Sequence, residues 1–100
     1  MIVVSVDFVV APENVKAAMA RLQRDRDAVR AMDGNLAFDV FVEPSEVQTI
    51  RNWHEWQSLE HLSAYTASDI FKQFGLALRH MMLAPPVSRR MEAQLLDPVA

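Results

Sequence analysis

The fold is decided by residues 36–56, LAFDVFVEPSEVQTIRNWHEW. From Leu36 to Glu43 the side chains alternate between two faces, which is typical of a β-strand. The segment Glu43-Pro44-Ser45-Glu46 has the composition of a turn. Val47 to Trp56 is again rich in β-branched and aromatic residues. The stretch therefore predicts a hairpin of two antiparallel strands, the second and third of the chain.

The residues before the hairpin predict a strand followed by a helix. Ile2 to Val10 is a β-branched run and predicts the first strand. Pro12 and Glu13 suit the first turn of a helix. The first backbone N–H groups of a helix have no partner within it, so proline, which lacks an N–H, fits there, and the helix dipole favours an acidic side chain. Gly34 ends this helix, where it can adopt the left-handed cap conformation. The helical face is formed by Val15, Ala18, Met19, Leu22, Val29 and Met32.

The residues after the hairpin predict two helical segments and a last strand. Ser58 is a candidate N-cap for a short helix whose face carries Leu59, Leu62 and Tyr65. Ser68 or Asp69 caps a second segment, which Pro85-Pro86 stops; it carries Ile70, Phe71, Phe74, Leu78 and Met81. Val87 to Leu96 predicts the last strand, ended by Asp97-Pro98.

The order strand, helix, strand, strand, helix, strand is the ferredoxin-like βαββαβ arrangement of the α+β class. Residues 1–100 are long enough for one domain. Its antiparallel sheet carries helices on one face only, so the other face needs a cover. A second copy of the same sheet is the simplest cover. We therefore expect a homodimer joined through the sheet, in the form of a dimeric αβ-barrel.

Composition excludes several functional classes. Ten basic and 13 acidic residues give a formal charge of -3, without the basic excess of a nucleic-acid-binding protein. The chain has no cysteine, hence neither a disulfide nor a thiol nucleophile. No stretch approaches 18 apolar residues, so we expect no membrane span. The Val-rich N-terminus resembles a strand and not a signal peptide, which favours the cytoplasm.

One segment resembles a known family. Residues Trp56 to Tyr65, WQSLEHLSAY, resemble the W-x-S-x-x-x-L-x-x-H motif of the antibiotic biosynthesis monooxygenase (ABM) domain family. The turn DGNLAFDV from Asp33 and the segment LLDPV from Leu95 are also similar to it, so the resemblance covers essentially the whole chain. It implies the dimeric αβ-barrel fold. The family includes quinol monooxygenases, cofactor-free polyketide oxygenases, haem degraders and a sugar-phosphate isomerase.

Departures from the family motif narrow the range of activities that the resemblance implies. His54 stands where many members have Glu, and Tyr65 replaces the family's His. The haem-degrading branch has an axial His where this chain has Gly75, which argues against haem because the iron needs a protein ligand. The cofactor-free polyketide oxygenases carry Asn and Trp at the positions of Asn52 and Trp56. The resemblance thus favours an oxygenase that needs no cofactor.

The third strand supplies a candidate site. Strand side chains alternate, so Asn52, His54 and Trp56 share one face. If that face lies under the helices, His54 is a candidate base, Asn52 a donor to a substrate oxygen, and Trp56 a stacking surface for an aromatic ring. Tyr65 offers a second hydrogen bond. We expect the ligand to be a quinol or polycyclic phenol, which can itself supply electrons to dioxygen.

Other interpretations stay open. Each of these four side chains also fits a structural role in the core, with Asn52 and His54 bonded to backbone or water. His54 could alternatively shuttle protons in an isomerase of a small carbonyl compound, since the turn from Asp33 also resembles that branch. A non-catalytic ligand-binding module is a third possibility. The carboxylates Asp7, Asp39 and Glu43 lack metal-ligand spacing, so we expect no metal site.

Overall fold

A computed structural model describes residues 1–96. Its elements follow the predicted order, with one 3₁₀ turn ahead of the first helix and the second helical region divided in two. The strands are β1 (Ile2–Val9), β2 (Asn35–Glu43), β3 (Glu46–Trp56) and β4 (Val87–Glu92), and the helices are α1 (Val15–Arg30), α2 (Leu59–Thr66) and α3 (Asp69–Arg79).

The four strands form one antiparallel sheet in the order β2-β3-β1-β4. Strands β2 and β3 are the predicted hairpin, and β1 lies between β3 and β4. Helix α1 connects β1 to β2 across the intervening β3, which is the split βαβ unit of the ferredoxin-like fold. The predicted α+β, ferredoxin-like class is confirmed.

One face of the sheet packs against the helices and forms the core. Alternate residues of β1 point to this face, among them Val4 and Phe8, and both are buried. They contact two apolar clusters, one containing Phe38, Trp56 and Leu62, the other containing Leu22, Ile50 and Leu78. The other set of β1 side chains, with Ser5 and Asp7, points to the opposite face, which carries no helix and which we call the outer face.

Local signals in the sequence fix where the helices begin and end. The Ser58 hydroxyl accepts a hydrogen bond from the His61 amide, and the Ser68 hydroxyl accepts one from the Phe71 amide, so both are N-caps. Gly34 has φ of 78°, in the left-handed region predicted for it. It does not cap the helix as predicted, because α1 ends at Arg30 with Ala31 as its C-cap and Gly34 lies in the turn just before β2. The start of the first helix differs slightly, because Pro12–Asn14 form a 3₁₀ turn before α1.

Two further details of the sequence prediction are wrong. Strand β4 ends at Glu92 and not at Leu96, because Glu92 pairs with Ile2 at the beginning of β1 and only Met1, which hydrogen-bonds with Ala93, lies beyond it. Leu59 was expected on the buried face of α2, but it is 58% exposed and only Leu62 and Tyr65 of that helix are buried. The predicted strand end at Asp97-Pro98 lies outside the described residues.

Candidate active site

Strand β3 places three of the predicted site residues on the helix-facing side of the sheet. Asn52, His54 and Trp56 are 2%, 4% and 0% exposed. Helix α2 brings Tyr65 over the same region, with its ring centroid 5.5 Å from that of His54 and 5.1 Å from that of Trp56. The alternation of β3 and the capped start of α2 therefore bring all four predicted side chains together.

Trp56 holds His54 in one protonation form. Its indole N–H donates to Nδ1 of His54 over 2.7 Å. An indole N–H can only donate, so Nδ1 must be the accepting nitrogen, and a neutral imidazole then carries its proton on Nε2. None of the described residues hydrogen-bonds that Nε2. His54 can thus donate a hydrogen bond from Nε2, the ring nitrogen that is not bonded to Trp56.

The geometry bears on two of the predicted roles. Trp56 was expected to stack on a ligand ring, but it is fully buried and stacks on Tyr65 at an interplanar angle of 25°. His54 was expected to act as a base near neutral pH, but burial lowers its pKa from 6.5 to about 4, with a smaller contribution from the charge of Arg90. The proton shuttle considered for an isomerase requires the same base, and Trp56 occupies its accepting nitrogen.

Asn52 and Tyr65 are also held in defined states. Nδ2 of Asn52 donates to the backbone oxygen of Asp39 over 3.1 Å, which leaves Oδ1 without a donor among the described residues. Burial raises the pKa of Tyr65, and the negative charge of Asp25 raises it further, so the phenol stays protonated at neutral pH. Its ring is also stacked on Phe71 at 5.2 Å.

These side chains border a cavity of about 280 Å³ between the sheet and α2 and α3. Three of the four predicted residues line it, and Trp56 lies behind them. The rest of the lining is mostly apolar, and the cavity is partly open to solvent. The lining residues are Val4, Val6, Phe8, Asn52, His54, Leu62, Tyr65, Thr66, Phe71, Phe74, Gly75, Leu78, Met82, Pro86, Ser88 and Arg90.

The sequence analysis did not assign any residue of β4 to the site. Arg90 and Ser88 line the cavity because they pair with Val4 and Val6, whose side chains face the helices. The alternation of side chains along β4 was visible in the sequence and showed that Ser88 and Arg90 share a face. Which face of the sheet they occupy follows only from the pairing of β4 with β1. Gly75 also lines the cavity, and at this position it provides no side-chain ligand for a metal or haem iron.

Two of the three carboxylates that were weighed as metal ligands form ion pairs with arginines. Asp7 forms a double hydrogen bond with Arg51 on the outer face, which lowers the pKa of Asp7. Asp39 accepts from Arg26 and Arg30 of α1, at 3.3 and 2.7 Å.

No helix among residues 1–96 is long and apolar enough to cross a bilayer.

Solved structures share this fold at low sequence identity. A protein from Deinococcus radiodurans assigned as an antibiotic biosynthesis monooxygenase superposes with a TM-score of 0.91 at 19% identity, over 100% of this chain and 99% of that one. A conserved protein from Methanosarcina mazei Go1 gives 0.88 at 19%, over 93% and 92%. The protein Rv0793 from Mycobacterium tuberculosis gives 0.88 at 15%, over 97% and 98%.

The sequence itself also carries the family pattern. Comparison with curated proteins gives no significant match. The profile described as antibiotic biosynthesis monooxygenase matches residues 1–75, which include the site residues of β3 and α2. The fold and this match agree, and the chain belongs to the antibiotic biosynthesis monooxygenase (ABM) family.

Proposed function

We propose that the protein is a monooxygenase that oxidises a quinol or polycyclic phenol in the cavity without a cofactor. The observation that carries this proposal is a mostly apolar cavity of about 280 Å³ lined by Asn52, His54 and Tyr65. Ligand pockets of this kind combine an apolar wall with a few placed polar groups, and their volumes begin at roughly 300 Å³. An aromatic ring with one or two oxygen atoms fits this composition.

The reaction balances without an external reductant. A quinol and dioxygen give a hydroxyquinone and water: one oxygen atom forms a bond to a ring carbon, and the other leaves as water. The ring loses four electrons and dioxygen gains them. The substrate is most reactive toward dioxygen as an anion, so the site has to stabilise negative charge on the substrate oxygen.

The residues that border the cavity are suited to that task. His54 presents its Nε2–H, and Tyr65 keeps its hydroxyl proton because burial raises its pKa. Both groups can therefore donate to an oxygen anion. Asn52 offers the free Oδ1 to a substrate hydroxyl while the backbone of Asp39 fixes its orientation. Trp56 acts as a positioning residue, since it holds His54 and does not reach the cavity.

Oxygen consumption with a panel of hydroquinones and naphthols tests the proposal. Asn52→Ala and His54→Ala each remove a polar group from the cavity, and the loss of one such group typically lowers turnover by about 10²-fold or more. Thr49→Ala, on the outer face of the same strand, is the matched control and should keep full activity. Turnover that survives both changes contradicts the assigned site. Ligand-induced thermal stabilisation without any oxygen uptake would indicate a binding module instead.

We also propose that the protein is a homodimer joined through the outer face of the sheet. Large apolar side chains from three strands lie exposed on this face, with exposed fractions between 39% and 57%: Val9, Phe41, Val87 and Met91. Asp7 and Arg51 neutralise one another among them. Exposed apolar side chains gathered on one face of a sheet are typical of an interaction surface, and a second copy of the sheet would bury them.

A further inference from the structure

Arg90 gives the cavity a positive charge. It is the only charged side chain that lines the cavity in the described part of the chain, and no Asp or Glu of that part lines it. Pairing places His54, Val4 and Arg90 in one row across β3, β1 and β4, all on the helix-facing side. Two strand spacings separate the backbones of His54 and Arg90 by about 10 Å.

The Arg90 side chain lines the cavity while remaining exposed to solvent, and its charge is not paired with a carboxylate of the described residues. No carboxylate among residues 1–96 lies within ion-pair distance of it. Its field reaches His54, because it contributes to the lowered pKa of that imidazole. A positive charge that disfavours a protonated His54 favours an anion at the same place.

The other titratable groups of the lining are donors. His54 on β3 presents Nε2–H, and Tyr65 on α2 presents its phenol, with ring centroids 5.5 Å apart. Strand β1 and helix α3 contribute apolar residues and Gly75 to the lining, with no titratable group. Asp25 of α1 acts on Tyr65 from outside the cavity and keeps it protonated. The cavity therefore has several groups that bind an oxyanion and none suited to removing a proton from a neutral phenol.

We propose that the substrate enters the cavity already ionised, as a phenolate or enolate whose oxygen anion is bound by Arg90 together with the donors of His54 and Tyr65. This inference rests on the proposed function and specifies its substrate class: phenols or enols acidic enough to be ionised at neutral pH, such as those conjugated to a carbonyl group. The proton is lost to solvent before binding, which removes the need for a base.

The binding of para-nitrophenol tests the inference, because the neutral and ionised forms of this probe absorb at different wavelengths. Titration of the wild-type protein across pH should show that the phenolate binds at least about tenfold more tightly than the phenol. Arg90→Gln should abolish this preference, and Arg90→Lys should retain part of it. Arg89→Gln is the matched control, since Arg89 pairs with Ser5 and points to the outer face. Thermal unfolding confirms that each variant is folded.

The possible outcomes separate this inference from the proposed function. Equal affinity for phenol and phenolate, no binding of either form, or equal losses in Arg89→Gln and Arg90→Gln would overturn the inference. Oxygen uptake with neutral quinols that is unaffected by Arg90→Gln would also overturn it while leaving the monooxygenase intact. A clear preference for the phenolate with no oxygen uptake from any quinol or acidic phenol would support the anion site and overturn the proposed activity.

Discussion

At the scale of single residues, the bond between Trp56 and His54 decides what the candidate site can do. The indole N–H occupies the accepting nitrogen of the imidazole, and burial keeps the ring neutral. A histidine that would be a base on an exposed strand is thereby a donor in this cavity. The identity of the neighbour two positions along β3 thus determines the chemistry of His54.

Trp56→Phe should release this constraint. The variant keeps a buried ring but loses the donor to Nδ1, so we expect His54 to exchange between its two neutral forms. Nitrogen NMR of the imidazole should show one protonated and one unprotonated nitrogen in the wild type and averaged signals in the variant. Removing part of a buried ring should also lower the free energy of unfolding by about 1–3 kcal/mol. Trp53→Phe, on the outer face, is the control; an unchanged His54 spectrum in Trp56→Phe would contradict the assignment.

The two glycines of the chain should respond to alanine in opposite directions. Gly34 has φ of 78° and a Cβ there would overlap the ring of His61, so Gly34→Ala should lower the free energy of unfolding by about 2 kcal/mol or more. Gly75 lies inside α3, and a Cβ there meets no atom within 4 Å. Gly75→Ala should therefore raise the free energy of unfolding by about 0.5–1 kcal/mol. Urea unfolding measures both; changes of the same sign would contradict this account.

At the scale of elements, the junction between α2 and α3 positions Tyr65. Ser68 accepts from the Phe71 amide over 3.2 Å and donates to the Tyr65 carbonyl over 2.6 Å. The same hydroxyl thus ends one helix and begins the next. The serines at the two caps were visible in the sequence, because a hydroxyl before an apolar helical face is a local signal.

Ser68→Ala should lower the free energy of unfolding by about 1 kcal/mol. The substitution removes both the N-cap of α3 and the hydrogen bond to the Tyr65 carbonyl of α2. Ser63→Ala is the matched control, because Ser63 is exposed within α2 and makes no side-chain hydrogen bond among the described residues. Thermal or urea unfolding of both variants measures the difference. Equal stability of the two variants would show that the cap contributes nothing.

At the scale of the whole molecule, stability should depend on pH through His54. The folded state holds the imidazole neutral down to about pH 4, whereas the unfolded chain takes up the proton near pH 6.5. Between these values the unfolded state binds more protons, so the free energy of unfolding falls as the pH is lowered, by up to about 3 kcal/mol. Above pH 6.5 the imidazole is neutral in both states, so the full contribution of His54 to the free energy of unfolding is present. His54→Gln should flatten the dependence and His80→Gln, at the exposed end of α3, should not; identical pH profiles for the two variants would exclude His54 as the cause.

The outer face should control the oligomeric state. Light scattering after size exclusion should give twice the mass of one chain for the wild type. Phe41→Asp should give a monomer, because Phe41 is 55% exposed on the outer face and a buried charge there is costly. Leu59→Asp, at a residue that is 58% exposed but lies on α2, should remain dimeric. A monomeric wild type, or a dimeric Phe41→Asp, would contradict the proposed interface.

The sequence by itself determined the order and type of the elements, the Ser58 cap, the left-handed turn at Gly34 and the face shared by Asn52, His54 and Trp56, because these follow from local periodicity and local hydrogen bonds. For the second cap it left Ser68 and Asp69 as alternatives. Only the tertiary structure decided the end of β4, the presence of Arg90 in the cavity and the form of His54. These depend on which strand pairs with which and on what a side chain is buried against, and neither is set by residues close in sequence. A pKa moves with desolvation and neighbouring charge, which exist only once the chain has folded.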